Sequence, residues 1–108
     1  MFSFVEENYL KAIYHLSDHG RKSVSTNALA EEMQTTAASV SDMMAKLSKK
    51  KAVDYQKYKG VNVSGKGKEV ALRVIRKHRL WEVFLVDQLK FHWDEVHEIA
   101  EQLEHIKS

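Results

Sequence analysis

Residues 25–67, STNALAEEMQTTAASVSDMMAKLSKKKAVDYQKYKGVNVSGKG, decide the fold. Ser25 or Thr26 can cap a short helix running through Met33, with Leu29, Ala30 and Met33 turned inward. The polar turn Gln34-Thr35-Thr36 leads into a second helix, Ala37 to Lys49, where Val40, Met43, Met44 and Leu47 fall at i, i+3, i+4 and i+7. Two short helices joined by a tight turn make a helix-turn-helix. Ala52 to Gln56 and Gly60 to Val63 then alternate apolar and polar side chains around Lys57-Tyr58-Lys59-Gly60, as a β-hairpin does. That hairpin stands where a wing follows a recognition helix.

A recognition helix needs short polar side chains at its exposed N-terminal end, because these enter the major groove while the apolar side packs on the domain. Thr35, Thr36, Ala38, Ser39, Ser41 and Asp42 occupy that end and are the candidate base-facing residues. Lys46, Lys49, Lys50 and Lys51 follow where the helix end and the next loop could meet phosphates, and Lys57 and Lys59 at the hairpin tip could reach an adjacent backbone. Any one Ser or Lys here is explained as well by capping or by solvation. The ordered succession of helix, turn, helix, hairpin and lysines is what points to DNA.

Working outward, Val5, Tyr9, Ala12, Ile13 and Leu16 recur at helical spacing, so a first helix over about residues 4–18 is expected, stopped by Gly20. Ser64 can cap a long helix from about Lys66 to Leu89, with Val70, Val74, Leu80, Phe84 and Leu85 among its apolar positions. After a break near Phe91-His92-Trp93, a last helix from Asp94 carries Val96, Ile99, Ala100, Leu103 and Ile106. The expected architecture is mainly α. A winged helix-turn-helix domain with a two-stranded β wing spans residues 1–65, and a helical region spans 66–108.

Composition narrows the class. The 108 residues are 44% hydrophobic and 30% charged, with no apolar run near the ~18 residues of a membrane span. The start, MFSFVEENYLKAIYHL, lacks a basic leader and a small-residue cleavage site, so a water-soluble cytoplasmic protein is expected. Without cysteine there are neither disulfides nor thiolate ligands, and any metal must be held by His, Asp, Glu, Asn or backbone oxygen. The net charge of +2 hides a segregation: Lys46 to Lys68 is strongly basic, whereas Asp94 to His105 is acidic and histidine-rich with no Lys or Arg. A basic block suits phosphates and an acidic one suits cations.

Within the acidic block, Glu101, Glu104 and His105 would share one helix face, and His97 stands one turn before Glu101. His78 and Glu82 repeat the i, i+4 spacing on the preceding helix, and antiparallel packing of the two helices could bring the sets together. Such oxygen- and nitrogen-rich donors suit Mn²⁺ or Fe²⁺, and Zn²⁺ and Co²⁺ bind the same groups in vitro. A solvated acidic face with surface histidines accounts for the same spacing. A metal-dependent hydrolase is disfavoured, since no Gly-rich phosphate loop or nucleophile elbow accompanies the cluster.

In Glu6 to Tyr14, Ser39-Val40-Ser41, Arg76 to Leu85, Val96-His97-Glu98 and Leu103-Glu104-His105 the chain resembles the iron- and manganese-dependent transcriptional regulators of the diphtheria-toxin-repressor and manganese-transport-regulator type. The resemblance implies a homodimer that binds a roughly palindromic DNA operator when loaded with Mn²⁺ or Fe²⁺ and represses metal-uptake genes. It implies metal ligands at His78, Glu82 and His97 for one site and at Glu101, Glu104 and His105 for the other. Glu101 stands where iron-responsive relatives have cysteine, which is the manganese-type pattern. Asn8 stands where manganese-type relatives have an acidic ligand and offers a neutral carbonyl oxygen, and Lys11 stands where they can have glutamate. The resemblance makes 66–108 a metal-binding and dimerisation region, and because relatives continue past the Glu-His motif it is expected to be truncated. A dimer is expected to bury Trp81, Phe84 and Leu85. The alternative function is a metal-independent winged-helix regulator whose acidic helices only dimerise it.

Overall fold

The computed structural model describes residues 1–56, 59–90 and 92–106, leaving aside the Trp93 side chain. Among the described residues five helices and two strands follow in order: α1 Phe4–Leu16, α2 Thr26–Met33, α3 Ala37–Lys49, β1 Val53–Gln56, β2 Gly60–Val63, α4 Gly65–Asp87 and α5 Trp93–Leu103. The chain packs as two compact units, Met1–Ala71 and Leu72–Ser108. No helix among the described residues is long and apolar enough to cross a membrane.

In the first unit, three N-caps start the three helices. The Ser3 hydroxyl accepts from the Glu6 N–H at 3.1 Å while the Glu6 carboxylate accepts from the Ser3 N–H at 2.8 Å, a reciprocal capping box. Ser25 caps α2 by accepting from the Ala28 N–H at 3.0 Å, and Thr36 caps α3 by accepting from the Ser39 N–H at 3.1 Å. Gln34 closes α2 in the left-handed region, with φ 54° and ψ 49°, and this reversal makes the turn between α2 and α3. The core is formed by Leu10, Ile13, Leu29, Val40, Met44, Leu47 and Val61, all at most 1% exposed.

The hairpin pairs antiparallel in the register Val53 to Val63 and Tyr55 to Val61. A lone bridge from Val24 to Val61, with two N–H···O bonds of 2.8 Å, widens it by one residue from the segment before α2. Gly60 is required there: its φ is +100°, and a Cβ would lie 2.7 Å from the Val24 carbonyl oxygen. Ser64 starts α4 as expected, its hydroxyl accepting from the Gly67 N–H at 3.2 Å. Gly67 lets the first turn of α4 close on the strand entrance, since a Cβ would fall 1.9 Å from the Ala52 carbonyl oxygen.

The first helix differs from the sequence expectation in phase and in its stop. Val5 is half exposed, and the buried face is Glu6, Glu7, Tyr9, Leu10, Ile13 and Tyr14. The cause is Glu6: its charge is met by Lys50, so a carboxylate takes an inward position that apolar periodicity assigns to a neighbour. The helix ends at Leu16, before Gly20, because buried Ser17 donates to the Tyr14 carbonyl at 3.1 Å and accepts from the Gly20 N–H at 2.9 Å.

In the second unit, Leu85, Val96 and Ala100 make a small buried cluster with Trp81, Val86, Ile99 and Leu103 packed against it. Asp94 and Glu95 in the first turn of α5 complement the helix dipole. Helix α5 ends at Leu103, so Glu104 is its C-cap while His105 and Ile106 lie beyond the helix. Leu85 is 3% exposed within its own unit and therefore has no surface left for a partner, contrary to the expectation for that residue.

Candidate metal centre and nucleic-acid face

On α3 the apolar residues Val40, Met44 and Leu47 are fully buried, which turns the opposite face outward. Ala38, Ser39, Asp42 and Lys46 are exposed there, as are Thr35 and Thr36 in the preceding turn, while Ser41 is half-buried. Thr36 is committed to capping: besides accepting from the Ser39 N–H, its hydroxyl donates to Ser39 Oγ at 3.0 Å. Ser39, Asp42, Met43, Ala45, Lys46 and Lys49 line a shallow depression along this face. In the wing, Lys59 is exposed and its N–H bonds to the Gln56 carbonyl at 2.9 Å; Lys57 lies outside the described residues. A second depression, lined by Ser23, Ser25, Thr26, Asn27, Lys59 and Gly60, joins the wing to the start of α2. Sequence reasoning missed Ser23, Thr26 and Asn27 as neighbours of Lys59, because the Val24 bridge that brings them together is a single residue pair.

Lys50 departs from the lysine cluster. Its ammonium donates to the Glu6 carboxylate at 2.8 Å and to the Met1 carbonyl at 2.9 Å. Burial works against charge on Glu6, but Lys50 and the Ser3 backbone and hydroxyl outweigh it and hold the carboxyl below its ordinary 4.5.

In the second unit, α4 and α5 bring three donors together. His78 Nε2 lies 3.2 Å from Glu82 Oε2 and 3.2 Å from His97 Nδ1, and the last two are 3.4 Å apart. Ligand atoms about 2.1 Å from one ion, at tetrahedral or octahedral angles, stand about 3.0–3.4 Å from one another. Two imidazole nitrogens and a carboxylate oxygen at these separations therefore fit a divalent cation of borderline or hard character. Glu82 and His78 are mostly buried, with side chains 14% and 15% exposed, and His97 closes the group from the solvent side at 64%.

Glu104 is the group that orients this triangle. It is fully buried, and its Oε2 lies 2.7 Å from His78 Nδ1, which leaves His78 Nε2 directed at Glu82 and His97. Its other oxygen lies 3.3 Å from His105 Nε2. Glu101 is half exposed and 3.9 Å from His97 Nε2. The structure thus divides the trio of Glu101, Glu104 and His105, with Glu101 on the side of His97 and Glu104 with His105 inward. Asn8 and Lys11 are half-buried in α1 of the first unit.

Hairpin, helix-turn-helix and histidine-glutamate cluster define a mainly helical winged helix-turn-helix protein with an appended helical unit bearing donors for a cation. Two family descriptions match almost the whole chain: "iron dependent repressor, N-terminal DNA binding domain" over residues 1–61 and "iron dependent repressor, metal binding and dimerisation domain" over residues 64–108. The chain belongs to the iron-dependent repressor family. It is 31% identical over 100 residues to the diphtheria toxin repressor of Corynebacterium jeikeium, a match covering 93% of this chain and 41% of the relative. It is also 31% identical to the HTH-type transcriptional regulator MntR of Oceanobacillus iheyensis, covering 92% and 66%. Among solved structures, a manganese-dependent transcriptional repressor in complex with manganese superposes with a TM-score of 0.80 at 39% identity, covering 95% of this chain and 47% of that one. The chain spans between two fifths and two thirds of the length of these relatives.

Proposed function

We propose that the chain is a metal-dependent DNA-binding transcriptional regulator, a repressor of metal-uptake genes with Mn²⁺ or Fe²⁺ as corepressor. The observation that carries this reading is the triangle of His78, Glu82 and His97, with separations of 3.2–3.4 Å, in a chain whose other unit is a winged helix-turn-helix. His78, Glu82 and His97 hold the ion at one site, with Glu104 fixing the ring of His78. Glu101, Glu104 and His105 are the candidate ligands of the other. Oxygen and imidazole donors without thiolate accommodate Mn²⁺ or Fe²⁺, and Mn²⁺ is in keeping with the manganese in the complex of the solved relative.

A bound ion supplies a tie between donor side chains, and it shifts the conformational equilibrium only by its greater affinity for the DNA-competent arrangement. The DNA-facing work belongs to α3 and the wing. Ala38, Ser39, Ser41 and Asp42, with Thr35, face base edges, Thr36 caps the helix that presents them, and Lys46, Lys57 and Lys59 meet phosphates. Two copies pair through the exposed face of Leu80, Trp81 and Phe84, where Trp81 and Phe84 meet edge to face at 5.7 Å, and the pair reads a roughly palindromic operator in the cytoplasm. The test is selection of an operator from a random duplex pool with Mn²⁺ present, followed by anisotropy titration with Mn²⁺, Fe²⁺ or EDTA. Binding that Mn²⁺ or Fe²⁺ strengthens and EDTA reverses supports the reading. Binding indifferent to all three overturns it in favour of a metal-independent regulator.

A further inference from the structure

Lys50 stands in the run Lys49-Lys50-Lys51 at the end of the recognition helix, where charge alone assigns all three to phosphates. The geometry sets it apart. Its ammonium makes two hydrogen bonds inward, at 2.8 Å to Glu6 Oε1 and 2.9 Å to the Met1 carbonyl, and stands 5.3 Å from the centre of the Phe2 ring. Phe2 is itself buried at 8% exposure, and Lys66 from the start of α4 approaches the same ring at 5.5 Å. Glu6 is 2% exposed, and its second oxygen, Oε2, is buried with no hydrogen-bond partner among the described residues, among which Lys50 is the cation that answers its charge. A buried carboxylate stripped of its partner is costly, and an ammonium with three donors that spends two on this contact has little to offer a phosphate.

We propose that Lys50 is a positioning residue, fastening the C-terminal end of the recognition helix to Glu6, Phe2 and the Met1 carbonyl, so that residues 1–6 belong to the DNA-binding apparatus without touching DNA. This rests on the reading of the chain as a DNA-binding regulator. Lys50 is the C-cap residue of α3, whose start is fixed by the Thr36 cap and whose middle is fixed by Val40, Met44 and Leu47. The Lys50 contacts fix its far end. Loss of that fastening lets the helix end move, and with it Lys46 and Lys49 relative to the phosphates.

Salt dependence separates positioning from contact. Each phosphate contact contributes about 0.9 to the slope of log affinity against log salt concentration. The experiment measures that slope with Mn²⁺ saturating, on a duplex recovered by selection with the unaltered chain, at a temperature where circular dichroism shows every variant folded. Lys50→Met keeps the aliphatic stem over Phe2 and is expected to lower affinity roughly tenfold with an unchanged slope. Lys46→Met serves as the contact control and flattens the slope by about one. Glu6→Gln is expected to lower affinity like Lys50→Met, the double variant to lose no more than the larger single, and Lys50→Arg to restore binding. A slope flattened by Lys50→Met as by Lys46→Met overturns the proposal, and so does unchanged or tighter binding by Glu6→Gln, the result expected if the pair merely withholds Lys50 from DNA. If the unaltered chain recovers no duplex, the DNA-binding reading falls and the proposal with it.

Discussion

The two units of this chain are stabilised by different means. Met1–Ala71 encloses a core of fully buried aliphatic side chains drawn from three helices and the hairpin, and its helices begin with side-chain caps. Leu72–Ser108 buries a small cluster around Leu85, Val96 and Ala100, keeps Leu80 and Phe84 exposed, and buries the carboxylate of Glu104 beside two histidines. The first unit spends most of its apolar residues on itself, Phe4 and Val5 being half exposed. The second keeps donors and apolar surface in reserve, so a bound ion or partner is expected to order the second unit more than the first.

The largest effect is expected from the core of the first unit. Leu47→Ala removes a fully buried side chain from beneath the recognition helix and is expected to cost about 2–5 kcal/mol, most of the stability of a small domain, as read by denaturant unfolding with Mn²⁺ absent. A loss under 1 kcal/mol would break the contrast, because the first unit would then not rest on its own packing. The next largest is metal. At Mn²⁺ a hundredfold above its dissociation constant, stabilisation of about 2.7 kcal/mol is expected, with amide exchange slowed in α5 and the second half of α4 more than in the core of the first unit. Uniform slowing across α1 and α3 would argue that the units do not differ in this way.

His97→Ala sharpens the same point at smaller cost. Its side chain is 64% exposed, so stability without metal should change by no more than about 0.5 kcal/mol, while the shift produced by Mn²⁺ shrinks; calorimetry and thermal melts read both. The smallest effect is a pH dependence confined to the first unit. Because the carboxyl of Glu6 is held below its ordinary 4.5, its contribution is fully present above that value and is lost as pH falls through the lower folded value. Glu6→Gln should therefore flatten the acid limb of the stability profile below about pH 4.5 and leave the rest of its shape unchanged.

What the sequence made legible follows from the range of the interactions involved. The α3 period, the Ser25 and Ser64 caps and the hairpin are local, and each is where the pattern puts it. The phase of α1 is not local. It depends on Glu6 meeting Lys50, 44 positions away, and a charged residue at an inward position defeats apolar counting. In the candidate metal centre, the i, i+4 spacing of His78 and Glu82 was readable, and so was the need for a second helix to supply His97. The separation of Glu104 from Glu101 was not. Helix α5 stops at Leu103, so a face extrapolated through Glu104 and His105 ends before it reaches them. Ser17, which stops α1 from within, carries no pattern beyond its identity.

Gln34 in its left-handed turn has a consequence for protein engineering. A side chain in that region costs about 1 kcal/mol that glycine does not incur, and the chain uses non-glycine residues there at Asp18, His19, Lys51 and Lys90 as well. Each is a ready site for a thermostable variant, and a laboratory selection for heat resistance should find glycine or asparagine at these positions early. At Gln34, Gly would relieve the left-handed strain in the turn between α2 and α3, so heat resistance and the placement of α3 would evolve together at one codon.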